Sequence, residues 1–124
     1  MKIVILNFST HLDLSKNIVS VLENYSIDPE IIEVQYSHDI KSLPELIDED
    51  IVWINTTSRN LNFIDENYLE NLWDYIRETN SYIIQNNFEP CKHTKTRHKV
   101  NDLNSFIDLR KGDRFFVLDI NFIF

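Results

Sequence analysis

KIVILNFSTH, residues 2–11, sets four apolar side chains in a row, Ile3-Val4-Ile5-Leu6, before a run of hydrogen-bonding ones, Asn7, Ser9, Thr10 and His11, interrupted only by Phe8. β-branched and leucine side chains with little alternation are the pattern of a strand covered on both faces, as in the centre of a parallel sheet. The arrangement recurs. Residues 50–55, Asp-Ile-Val-Trp-Ile-Asn, read as a second buried strand and run into the polar loop Thr56-Thr57-Ser58-Arg59.

Helical signals separate these strands. Asp13 is placed to cap a helix whose Leu14, Ile18, Val21, Leu22 and Tyr25 recur at helical spacing, ended by Asp28-Pro29. Residues 31–36 read as a strand, and Leu43, Leu46 and Ile47 suggest a short helix begun around Pro44. Asp65 caps a stronger helix, with Tyr68, Leu69, Leu72, Trp73 and Ile76 on one face and an end near Asn80. A strand follows at 81–85. Leu103, Phe106, Ile107 and Leu109 suggest one or two helical turns, and residues 114–124 form a long apolar strand after the Lys111-Gly112-Asp113 turn.

Alternation of strand and helix predicts a single small Rossmann-like α/β domain over residues 1–124, a three-layer sandwich. Its sheet is mostly parallel, with the C-terminal strand expected to pair antiparallel at the edge. Ligands of such sheets bind beyond the carboxyl ends of the parallel strands, where helix N-termini present amide groups. Both polar loops lie on that rim. The expected site therefore comprises Asn7, Phe8, Ser9, Thr10 and His11 from the first loop and Asn55, Thr56, Thr57, Ser58 and Arg59 from the other. Hydroxyl and amide groups, with an arginine fork, hold phosphates and base edges without a strongly basic surface.

Composition narrows the function further. A formal net charge of −8 argues against coating duplex nucleic acid, whose phosphates repel such a surface. The exception is the compact basic segment Lys92-His93-Thr94-Lys95-Thr96-Arg97-His98-Lys99, which reads as a solvated, flexible loop. Lys92, Lys95 and Arg97 are its candidate contacts if it closes over an anionic ligand as a lid. Gly112 is the only glycine, so a phosphate loop and a dinucleotide fingerprint are both ruled out. Cys91 is the only cysteine and can form no internal disulfide, and nothing in the sequence requires a metal or cofactor. No apolar run approaches the roughly 20 residues of a membrane helix, and no signal-peptide pattern opens the chain, so a cytoplasmic protein is expected.

Ile5-Leu6-Asn7-Phe8-Ser9, with a histidine two positions on and Leu12 after it, resembles the opening of small CRISPR-associated proteins of the Csx kind from type III loci, which commonly begin leucine-asparagine-phenylalanine-serine-histidine. The strand Glu33-Val34-Gln35-Tyr36, a strand ending in Asn55, and the terminal strand around Phe116–Phe122 continue the likeness. Thr10 is inserted between serine and histidine, and the loop after Asn55 lacks the proline and glycine frequent in the family. Residues 92–109 have no counterpart.

The resemblance implies a CARF-like domain (CRISPR-associated Rossmann fold) that binds cyclic oligoadenylate, above all cyclic tetra-adenylate, across a homodimer, with higher assembly on ligand binding a further option. Two outcomes follow. A sponge sequesters the messenger intact; a metal-independent ring nuclease positions each ribose 2′-hydroxyl in line with its phosphate, with His11 the titratable group of the first motif. The reading leans to sequestration. Taken alone, Asn7-Phe8-Ser9 equally reads as a helix-entry turn, and the apolar tail 115–124 as the interface of a protein-interaction module.

Overall fold

The computed structural model describes residues 2–8, 30–35, 46, 50–58, 61, 63–89 and 94–119. Five strands make one sheet: β1 (Lys2–Asn7), β2 (Glu30–Gln35), β3 (Ile51–Asn55), β4 (Tyr82–Asn86) and β5 (Phe115–Leu118). Their order across the sheet is β2-β1-β3-β4-β5, and every neighbouring pair is parallel. The α/β class and the buried central strands agree with the sequence pattern, since β1 and β3 are buried along almost their whole length.

Alternation sorts the side chains to two faces. Val4, Leu6, Val52, Ile54, Ile83 and Phe115 enter the main core, while Ile3, Ile5 and Trp53 form a second cluster on the opposite face. Helices α1 (Glu66–Arg77) and α2 (Thr94–Asp108) both pack on the main core. In α1 the buried face is Leu69, Leu72, Trp73 and Ile76, each worth about 1.5–3 kcal/mol by burial. Asp65 caps it as expected, accepting from the Tyr68 N–H at 2.8 Å. Trp73 ties the layers together: it stacks on Phe106 of α2, meets Phe115 of β5 edge-on and donates from Nε1 to Gln85 Oε1 of β4 at 3.1 Å. The helices expected at 13–25 and around Pro44, and with them the sandwich's third layer, lie outside the described residues.

Three expectations are corrected. The C-terminal strand is an edge strand but runs parallel to β4, with Ile83 opposite Phe115 and Asn86 opposite Leu118. A parallel return needs a crossover of a dozen or more residues, and the one or two turns expected near Leu103 are in fact the fifteen-residue helix α2. At about 1.5 Å per residue it spans the length of the sheet and returns the chain to the amino end. The basic segment is likewise not a loop from Thr94 onward but the start of that helix. Val100, Leu103 and Ile107 are its buried stripe, and Arg97 and His98 are its solvated side.

After α2 the chain turns through Gly112, whose N–H and C=O both pair with Phe115. The left-handed residue there is Arg114 (φ 61), held by its guanidinium, which donates to the Asn80 carbonyl at 2.9 Å and lies over the Tyr82 ring. Among the described residues no helix is long and apolar enough to cross a membrane.

Candidate functional site

Strand order reverses at β1: the chain goes to β2 on one side and afterwards builds β3, β4 and β5 on the other. β1 and β3 are the neighbours at which the order reverses, and the carboxyl ends of such a pair are the place where sheets of this topology open a crevice. Asn7 ends β1, Asn55 ends β3, and the register sets them opposite one another. Gln35 ends β2 opposite Asn7, and the pairing of Ile54 with Gln85 sets Asn86, the end of β4, beside Asn55. The carboxyl end of the sheet is thus a row of carboxamides across three strands, β1, β3 and β4.

These amides bond to one another as well as to the backbone. Asn55 Nδ2 donates to Asn7 Oδ1 at 2.9 Å, and Asn7 Nδ2 donates to Glu33 Oε1. Asn86 clamps the loop after β3 from both sides, accepting from the Thr56 N–H at 3.1 Å and donating to the Thr56 carbonyl at 2.8 Å. Gln85 Nε2 donates to Thr56 Oγ1 at 3.1 Å. Ser58 is held by Glu89, donating from its N–H to Oε1 at 2.9 Å and from its hydroxyl to the main-chain carbonyl at 2.8 Å. Among the described residues two oxygens of this network are left over, Glu89 Oε2 and Asn55 Oδ1. Asn55 Oδ1 is buried and has no hydrogen-bond partner among the described residues, an arrangement that costs about 1–3 kcal/mol and calls for an explanation.

Of the sequence-derived site, the structure brings Asn7 and Asn55 into direct contact. Thr56 and Thr57 are buried behind them, and Ser58 is half-buried. Phe8 is buried too: its N–H donates to the Asn55 carbonyl at 3.1 Å, and its ring packs with Phe63 and Tyr68. Ser9, Thr10, His11, Arg59 and Lys92 lie outside the described residues. Lys95 is placed only as a residue of α2, and Arg97 is exposed on the same helix.

Because α2 follows β4, its first turns start from the carboxyl end of the sheet. Lys99 Nζ donates there to the Leu61 carbonyl of the β3–α1 connection. The first turn of α2 carries no acidic residue, whereas α1 begins with capping Asp65 and Glu66. Of the two helix starts, that of α2 is electrostatically the better disposed to an anion. The open groove between them, lined by Asp65, Glu66, Lys99, Asp102 and Leu103, carries three carboxylates and is poorly suited to phosphate.

Sequence reasoning missed Glu33, Gln85, Asn86 and Glu89. The signal for Asn86 was present, because Ile84-Gln85-Asn86 is a third buried strand ending in an amide. Glu33 gave no such signal, since its role follows from the β1–β2 register, in which it lies diagonally across from Asn7. Comparison of the chain with models of known protein families, with curated proteins and with solved structures finds no match.

Proposed function

We propose that the protein binds a cyclic oligoadenylate, above all cyclic tetra-adenylate, at the carboxyl rim of β1 and β3, and sequesters it. The observation that carries this reading is the direct pairing of Asn7 and Asn55 at the topological switch point, with a buried acceptor left over. These are the residues on which the resemblance to small type III CRISPR-associated proteins rests, with Asn7 in its Asn-Phe-Ser core and Asn55 at a strand end. Neutral amides and hydroxyls suit a ligand that an acidic protein must hold without a basic surface. They orient and retain it but supply no acid or base, which favours binding over cleavage. A ring of repeated nucleotides fits a two-fold axis, so a homodimer is the proposed state. The site then acts by mass action, lowering free messenger in proportion to the protein present.

The test is incubation of stoichiometric protein with labelled cyclic tetra-adenylate, with native gels for binding and denaturing chromatography for the ligand's fate. An intact, shifted ring supports sequestration. Linear products with turnover transfer the reading to a ring nuclease and direct mutagenesis to His11. Absence of a shift with every ring size overturns it.

A second reading has its own observation. β5 is an edge strand, and Phe116 on it is 54 % exposed, a surface suited to another protein chain. Under that reading Phe116→Lys abolishes partner capture while Asn55→Ala leaves it intact.

A further inference from the structure

The amide row has a polarity, and Glu33 sets it. A carboxamide can be turned end for end, exchanging donor for acceptor, but an ionised carboxylate only accepts. Asn7 meets Glu33 Oε1 and therefore presents its Nδ2 there. Its Oδ1 is left on the other side, where it accepts from Asn55 Nδ2 at 2.9 Å. Asn55 has then committed its donor to the relay and turns its Oδ1 outward from it. That oxygen belongs to a residue only 1 % exposed and has no hydrogen-bond partner among the described residues. Two positions back along the same face of β3, Trp53 is 2 % exposed, and its Nε1 also has no partner among the described residues. The face thus carries an unpaired donor in mid-strand, within the second core cluster, followed by an unpaired acceptor at the strand end where ligands of this topology sit.

We propose that Glu33, Asn7 and Asn55 form a specificity relay that presents Asn55 Oδ1 to the ligand as an obligate acceptor, and that the group it takes is the exocyclic amine of an adenine. The demand for a donor follows from the relay alone; its identification as an adenine amine rests on the messenger reading. A hypoxanthine base, which carries a carbonyl oxygen where adenine carries its amine, sets one acceptor against another and leaves both unpaired. Asn55 is then the residue that reads the base, and Glu33 is a positioning residue acting through Asn7.

Titration calorimetry of the full chain with cyclic tetra-adenylate, and with the same ring carrying hypoxanthine in place of adenine, tests this. The wild type is expected to bind the hypoxanthine ring at least about tenfold more weakly. Lysine only donates, so Glu33→Lys reverses the relay and turns Asn55 Nδ2 toward the ligand. This variant is expected to lose the preference for adenine or to favour hypoxanthine. Glu33 is exposed, and Glu33→Gln, free to adopt either polarity, is expected to fall between the two. Equal binding of both rings by the wild type overturns the relay while leaving the messenger reading in place. Unchanged discrimination in a folded Glu33→Lys variant also overturns it. Failure to bind either ring overturns the messenger reading and the adenine assignment with it.

Discussion

The two ends of the sheet solve the burial of polar groups in opposite ways. At the amino end the groups are charged and paired: Lys2 Nζ lies 2.9 Å from Asp50 Oδ2, and Asp50 Oδ1 accepts from the Lys2 N–H at 3.2 Å. The Asp50 carbonyl accepts from the Tyr82 N–H at 2.8 Å, so one residue joins β1, β3 and β4. At the carboxyl end the row is built of amides and anchored on one exposed carboxylate, Glu33, with Asn55 Oδ1 left unpaired among the described residues. A closed ion pair holds strands together and offers nothing to a ligand. An amide network with a spare acceptor gives up some stability and keeps a contact in reserve. The contrast places strand fastening at one end and, under the proposed function, recognition at the other.

Breaking the amino end is expected to have the largest effect on stability. Asp50 is fully buried, so Asp50→Ala strands Lys2 and is expected to cost about 3–5 kcal/mol in denaturant unfolding. Ring affinity of the remaining folded protein should be unchanged; a selective loss of affinity would break the comparison. Asn86→Ala comes next. It frees both backbone groups of Thr56 from their buried partner and is expected to cost about 1–3 kcal/mol, with weaker ligand binding as the loop loosens.

The double variant Asn7→Leu with Asn55→Leu sharpens the contrast most. It removes both partners of one bond together with the unpaired acceptor, and Glu33 is exposed to water. Its stability is expected to lie within about 1 kcal/mol of wild type while ring binding is lost. A penalty as large as that of Asp50→Ala would mean that the amide row fastens the sheet as the ion pair does. Asp65→Ala, at the N-cap of α1, is expected to have the smallest functional consequence: about 1 kcal/mol in thermal or denaturant unfolding and no change in ring affinity.

The central strands were legible in the sequence because burial on both faces writes itself as an uninterrupted apolar run, and Ile3 to Leu6 and Ile51 to Ile54 are such runs. Helix α1 was legible through its cap and its 3.6-residue stripe. The direction of β5 was not. Strand residues such as Phe115 and Val117 look the same whichever way the strand runs, and direction is decided by the length of the crossover. That length was hidden because charged residues at the start of α2 masked a stripe whose first member is Val100.

The candidate site was half legible for a similar reason. Asn7 and Asn55 are marked by local context, each an amide closing an apolar run. Glu33 is recruited by strand register, and Asn86 by its grip on Thr56, relations that exist only once the strands are side by side. The polarity of the row, which gives the site its chemistry, depends on the register-placed residue.

The most direct measurement is a two-dimensional nitrogen–proton NMR titration of the protein with cyclic tetra-adenylate, following side-chain and backbone amides together. The Asn7 and Asn55 side-chain amides are expected to shift first and furthest, with the backbone amides of Lys2 and Tyr82 at the opposite end left in place. Saturable shifts centred on Lys2 and Tyr82, or along β5 with Asn55 unmoved, would contradict the assignment of recognition to the carboxyl rim.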